Sequence, residues 1–246
     1  MTRYFAIIPA RYASSRLPGK PLRLLAGRPM LEHTWRAATA SAAQQVIIAT
    51  DDKRIREVAE GFGACVVMTS ADHASGSDRI AEVARQRGWM QDEIIVNVQC
   101  DEPMLPPQLI DQVASTLSSA GDIATLATPF SAATDINDPN AVKVVMDERG
   151  RALYFSRAAI PYDRESPGSG NAALRHLGLY AYRAASLHRL CALPVATLER
   201  LERLEQLRAL SAGMVIDIAI AACGPGPGVD TEEDLAHADK IMREQQ

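Results

Sequence analysis

Residues 9–20 read Pro9-Ala10-Arg11-Tyr12-Ala13-Ser14-Ser15-Arg16-Leu17-Pro18-Gly19-Lys20, and they set three cations and two hydroxyls into one short stretch. Small residues let backbone N–H groups approach phosphate oxygens, while Arg and Lys offset the phosphate charge and Arg adds a planar fork for two oxygens. The stretch follows the apolar run Phe5–Ile8, which predicts a strand, and ligands of open α/β sheets bind beyond strand carboxyl ends. A nucleoside triphosphate fits this loop. The spacing is neither the G-x-x-x-x-G-K-[ST] phosphate loop nor the G-x-G-x-x-G dinucleotide fingerprint, so a nicotinamide oxidoreductase is disfavoured.

Val98-Gln99-Cys100-Asp101-Glu102-Pro103 follows a second apolar run and faces the same crevice. Two adjacent acids on an extended chain point to opposite sides, so Asp101 is assigned inward as a magnesium ligand and Glu102 to structure. Asp230 follows Gly226-Pro227-Gly228-Val229 and precedes a helical pattern. Its residue type suits a helix cap as well as a metal ligand, and sequence physics leaves both open. Ser75-Gly76-Ser77-Asp78-Arg79 combines a small-residue turn, a helix start and a cation, which fits nucleotide contact at a helix N-terminus and equally a plain capped helix. Arg157, His176, Tyr180, Glu205 and Gln206 are polar side chains whose types, taken singly, point to structural roles.

These residues need elements to hold them. Short β-branched runs at 5–8, 46–49, 65–68, 94–98 and 123–127 predict buried strands, and stretches of helical period at 30–41, 53–62, 77–87 and 107–117 alternate with them. Alternation of this kind predicts an α/β fold: a Rossmann-like, mostly parallel sheet flanked by helices. Residues 142–146 and 151–155, joined by Asp147-Glu148-Arg149-Gly150, predict a hairpin, and 177–182 a further strand. Together they define a smaller antiparallel subdomain over 140–190 within a single domain spanning 1–246. Leucines at 198, 201, 204, 207 and 210 predict one helix over 197–210 with an apolar stripe. Residues 215–221 predict a strand and 231–243 a last helix opened by the capping pair Thr231 and Asp234.

The chain has 246 residues, 47% apolar and 23% charged, with a net charge of -4. That balance carries no global basic field for nucleic acid or anionic lipid, and no window is long and apolar enough to span a membrane. Neither a zinc pattern nor a disulfide framework emerges from Cys65, Cys100, Cys191 and Cys223, and the expected compartment is the cytoplasm.

Taken together, the segments IIPARYASSRLPGKPL (7–22), ATDD (49–52), HASGSDR (73–79), IVNVQCDEP (95–103), NAVKVV (140–145), ALYFSRAAIPYDR (152–164), RHLGLYAYR (175–183), LERLEQLR (201–208) and GVDTEEDL (228–235) resemble the 3-deoxy-manno-octulosonate cytidylyltransferase family. The first motif is shared with sialic acid cytidylyltransferases; FSRAAIPYDR, RHLGLYAYR and LEQLR carry the likeness to the 3-deoxy-manno-octulosonate (Kdo) branch. The resemblance implies transfer of CMP from CTP to the anomeric 2-hydroxyl of Kdo, with magnesium as cofactor, by a homodimer of lipopolysaccharide synthesis. It implies that Pro9, Ala10, Arg11, Ser14, Lys20, Ser75, Gly76 and Arg79 hold CTP. It implies magnesium on Asp101 and Asp230, which with Arg11 and Lys20 form the catalytic set. Gln99, Arg157, His176, Tyr180, Glu205 and Gln206 would line the sugar pocket, with Arg157 meeting the Kdo carboxylate. The family usually has glycine where this chain has Cys100, a substitution that would strain the backbone only if φ there is positive.

Overall fold

The computed structural model describes residues 2–13, 16–130, 136–166 and 172–244. The chain opens with β1 (Tyr4–Ala10), a 3-10 turn (Lys20–Leu22), β2 (Leu24–Leu25) and β3 (Arg28–Pro29), then α1 (Met30–Thr39) and β4 (Val46–Thr50). Next come α2 (Lys53–Gly61), β5 (Cys65–Met68), α3 (Gly76–Gln86), β6 (Ile94–Asn97), α4 (Pro107–Thr116) and β7 (Ile123–Pro129). The second half holds β8 (Lys143–Met146), β9 (Ala152–Ser156), β10 (Leu174–Arg183), α5 (Ala184–Ala192), α6 (Thr197–Glu202), α7 (Gln206–Ser211), β11 (Ile216–Ile220) and α8 (Glu232–Glu244).

The sheet has nine strands, ordered β11-β7-β10-β6-β1-β4-β5, with β8 and β9 joined through β10. Strand β1 is buried on both faces, and it takes the centre, parallel to β4 and β6. Strand β10 runs antiparallel between β6 and β7, and β11 is parallel to β7. One apolar layer on Leu31, Ile48, Val96 and Leu109 covers one face, and another on Ile7, Ile80, Leu187 and Leu207 covers the other. The expected mostly parallel, helix-flanked sheet is therefore present.

Local signals explain the starts of the helices. Asp52 caps α2 by accepting from the N–H groups of Arg54 and Ile55, and Ser75 and Asp78 form a reciprocal capping box on α3. The predicted hairpin is β8–β9, with Gly150 at φ 76 in its turn. It does not make a sheet of its own, because β8 pairs with the first residues of β10. Strand β10 is longer than 177–182 and carries a bulge between Leu177 and Tyr180.

One expectation is corrected. The leucine-striped helix over 197–210 is two helices, broken at Arg203, which sits in the left-handed region at φ 54. Leu198 and Leu201 are exposed, whereas Leu204 and Leu207 are buried. A stripe at helical spacing cannot register that two short helices turn different faces to the core; here the break puts the Glu202 and Arg203 carbonyls within reach of Arg157.

A small separate core of Leu17, Leu25, Met30, Val229, Leu235 and Ala238 clamps the 16–30 segment to α8. Lys20 and Asp230, each close in sequence to one of these buried residues, are brought together by that apolar contact although 210 positions apart.

Candidate active site

The carboxyl end of β1 and the loop beyond β6 open into a cavity of about 260 Å³. Pro9, Ala10, Arg11 and Lys20 line it from the first loop, Ser75, Gly76 and Arg79 from the start of α3, and Gln99 and Asp101 from beyond β6. Asp230 closes it from the loop before α8. Ser14 lies outside the described residues.

Lys20 is the junction. Its Nζ donates to Asp101 Oδ2 at 2.7 Å, to Asp230 Oδ1 at 2.8 Å and to the Val229 carbonyl at 3.1 Å. Burial works against the ammonium, but Asp101 and then Asp230 outweigh it and hold its pKa above the usual lysine value. The Val229 N–H donates to the Asp101 carbonyl at 2.9 Å, fixing the two acid-bearing loops to each other. Arg16 adds a second cation on Asp230 at 3.0 Å, on an exposed pair.

The cap question left open for Asp230 now has an answer. Thr231 Oγ1 accepts from the Asp234 N–H and Asp234 Oδ2 accepts from the Thr231 N–H, so Thr231 closes the capping box. Asp230 is thereby released to face Lys20. Among the described residues no cluster of three or more His, Cys, Asp or Glu side chains is placed to hold a metal. Asp101 and Asp230, two carboxylates converging on one ammonium, fit magnesium instead as a hard cation that takes one or two protein carboxylates and completes its shell with phosphate and water.

Arg79 is buried and held by Thr69 Oγ1, the Ser70 carbonyl and, at 3.4 Å, Asp51 Oδ2. Arg11 makes no hydrogen bond or ion pair among the described residues, which leaves its whole fork for a ligand.

A second cavity of about 430 Å³ shares Gln99, Asp101 and Asp230 with the first. His176 lines it, together with Glu102, Asn140 and Arg175. Burial lowers the His176 pKa to about 3, so the ring is neutral, and its Nε2 lies 3.0 Å from Thr125 Oγ1. Tyr180 stands behind His176 at 5.3 Å between ring centroids. With Glu205 and Gln206 it surrounds a separate space of about 40 Å³. Ser77 Oγ donates to Glu205 Oε2 at 2.6 Å, joining α3 to the start of α7. Arg157 lines neither cavity: its guanidinium donates to the carbonyls of Glu202, Pro139 and Arg203.

Glu102 departs from its assignment to structure alone, since it lines the second cavity alongside Asp101. The chain there is not extended; the Glu102 N–H bonds back to the Gln99 carbonyl, and the turn lets neighbouring acids share a site. Burial, with Asp101 adding to it, pushes the Glu102 carboxyl up to about 7. His73, Glu102 and Arg175 also line the cavities, and Arg16, the third cation of the first loop, lines the nucleotide one. All four lie within the family-like segments of the sequence, yet no spacing rule joins them. Cys100 is not among the residues of positive φ, so its side chain brings no backbone strain, and its carbonyl accepts from Thr34 Oγ1 at 3.0 Å.

Comparison with known proteins agrees with this geometry. A family model described as Cytidylyltransferase matches residues 5–218. A 3-deoxy-manno-octulosonate cytidylyltransferase of Thioalkalivibrio sulfidiphilus is 52% identical over 243 residues, covering 96% of this chain and 97% of that protein. The protein of the same name from Yersinia enterocolitica is 51% identical over 246 residues, covering 97% and 98%. A solved CMP:2-keto-3-deoxy-manno-octonic acid synthetase in complex with CTP superposes with a TM-score of 0.91 at 39% identity, over 99% of this chain and 100% of that one. With the matched length, the shared fold and a cation-lined cavity at the carboxyl end of β1, the chain belongs to the 3-deoxy-manno-octulosonate cytidylyltransferase family and is a nucleotidyltransferase.

Proposed function

We propose that the chain transfers CMP from CTP to the anomeric 2-hydroxyl of Kdo and releases pyrophosphate, supplying an activated sugar for lipopolysaccharide synthesis. The observation that carries this reading is the Lys20 ammonium held between Asp101 and Asp230 at the mouth of a cavity lined by Arg11, Ser75, Gly76 and Arg79. In-line attack of a sugar hydroxyl on the α-phosphorus asks a protein mainly for positioning and charge neutralisation. Arg11, Lys20 and Arg79 supply the cations, and the end of β1 at Pro9 and Ala10 offers backbone groups to the cytosine. Asp101 and Asp230 would hold magnesium, which when bound neutralises triphosphate charge and lowers the pKa of the attacking hydroxyl.

The acceptor takes the second cavity, where Gln99, Asp101 and Asp230 form the wall common to both. Gln99 and neutral His176 offer hydrogen bonds to sugar hydroxyls, and a hydroxyl left unpaired in a dry site is costly. Tyr180, Glu205 and Gln206 back this wall from the layer behind His176. Arg157 would meet a carboxylate by exchanging its carbonyl partners for it. As quaternary state we assign a homodimer, supported by exposed Leu153, Leu198, Leu201 and Tyr162 in the half that follows β8. No helix among the described residues is long and apolar enough to cross a membrane. The cytoplasm, where CTP is held, is the compartment that goes with the reaction.

The test is pyrophosphate release from CTP with Kdo, run with magnesium and with chelator, and repeated with sialic acid and 8-amino-Kdo in competition. Turnover should need both Kdo and magnesium. Equal turnover of sialic acid, or none with any sugar acid, would reject the assignment.

A further inference from the structure

His73 lines the nucleotide cavity, and the reaction as described makes no use of it. Its Nε2 is in close hydrogen-bond contact with Glu82 Oε2. Glu82, on α3, also accepts from the Ser70 N–H at 2.8 Å and from Gln86 Nε2 at 2.9 Å. Burial alone would raise the Glu82 carboxyl, but the bonds from Ser70, His73 and Gln86 outweigh it and hold it below the usual range. An ionised carboxylate only accepts, so Nε2 carries the proton it donates. Nδ1 is then the ring's remaining polar atom. It has no partner among the described residues, on a side chain only 17% exposed that borders the cavity.

The position of the ring along the cavity follows from its neighbours. A Cβ on Gly76 would lie 3.4 Å from Pro9 Cγ, so the 73–76 turn packs against Pro9 at the end of β1, where the cytosine is assigned. Lys20 and the two carboxylates mark the phosphate end. We propose that His73 contacts the nucleoside part of the bound nucleotide through Nδ1, and that Glu82 is the positioning residue that fixes the tautomer and rotation of the ring. The inference rests on the nucleotide reading of this cavity and adds a contact to it.

Calorimetric binding of CTP and of CMP to wild type and four variants tests it. In an Asn side chain the amide falls near the place of Nδ1, and in Gln near that of Nε2. His73→Ala and His73→Gln should each weaken both nucleotides about five- to tenfold, the scale of one lost hydrogen bond, while His73→Asn recovers most of the affinity. Glu82→Gln should raise KM for CTP about threefold with kcat kept, because the ring is loosened rather than removed. The proposal fails if His73→Gln binds like wild type, since the ring would then serve only to tether the 69–76 turn to Glu82. It fails too if His73→Asn is as weak as His73→Ala, or if the loss appears with CTP and not with CMP. Wild type that binds neither nucleotide would overturn the cavity reading itself.

Discussion

Replacing Lys20 by Met keeps the length and apolar stem of the side chain and removes only the ammonium. Three contacts of 2.7, 2.8 and 3.1 Å are lost, so Asp101 loses its cation and Asp230 keeps only the exposed Arg16. Breaking a fully buried ion pair costs about 3–5 kcal/mol. Here Lys20 is 15% exposed, but Asp101 and Asp230 keep 34% and 45% exposure, so water takes over much of their solvation and the stability loss falls to roughly 1–2 kcal/mol. For a domain of this size that is a drop in Tm of roughly 2–8 °C, and the variant stays folded at 25 °C. The rate should suffer more, because a preorganised charge facing developing negative charge is worth about 10²–10³ in kcat. Initial-rate pyrophosphate release and thermal melts on the same preparations separate the two effects. The pKa of Lys20 is raised in the fold, so its contribution to stability is complete below the unfolded lysine value, about 10.4, and is lost only as pH climbs through the higher folded value. Between pH 6 and 9 the gap in Tm between wild type and Lys20→Met should therefore stay flat as far as Lys20 titrates. A variant that turns over within threefold of wild type would refute the catalytic role, and a collapse of Tm with normal turnover at low temperature would make Lys20 a structural brace.

Four further outcomes follow from the same geometry. Asp230→Asn should raise the magnesium concentration needed for half-maximal rate at least tenfold with little change in Tm, because the capping box of α8 belongs to Thr231 and Asp234; a magnesium titration checks it. Gly226→Ala should destabilise by about 2 kcal/mol or more and impair magnesium response, since φ is +77 and a Cβ would meet the Met104 carbonyl at 2.8 Å; melts with and without magnesium measure it. Cys100→Gly should keep turnover within about threefold and cost about 1 kcal/mol of stability, the price of a small buried side chain. Burial pushes the Cys100 thiol up, so alkylation at pH 8 should spare it while modifying exposed Cys223.

The strands were legible from local composition, because runs such as Phe5–Ile8 and Ile94–Val96 are apolar at every position and are best satisfied inside a sheet. The first loop was equally legible as a candidate anion site, since cations and small residues are packed between Pro9 and Lys20 at a strand end. Local signals were equally legible where the partner lies within a few residues, as in the caps at Ser75–Asp78 and Thr231–Asp234. Relations across long sequence separations were set by the fold. Asp230 was legible only as a cap or a site residue; the cap belongs to Thr231 and Asp234, and the core of Leu17, Val229 and Leu235 brings Asp230 to Lys20. Glu102 was assigned away from the site because adjacency implies opposite faces only on an extended chain, and the turn at Gln99 bends that rule. The leucines from 198 to 210 looked like one face because periodicity carries no information about a left-handed residue at Arg203. His73 and Glu82 are nine residues apart, a separation with meaning only once α3 and the turn before it are folded together. Burial and pairing are properties of the assembled chain, and these positions acquire their chemistry from them.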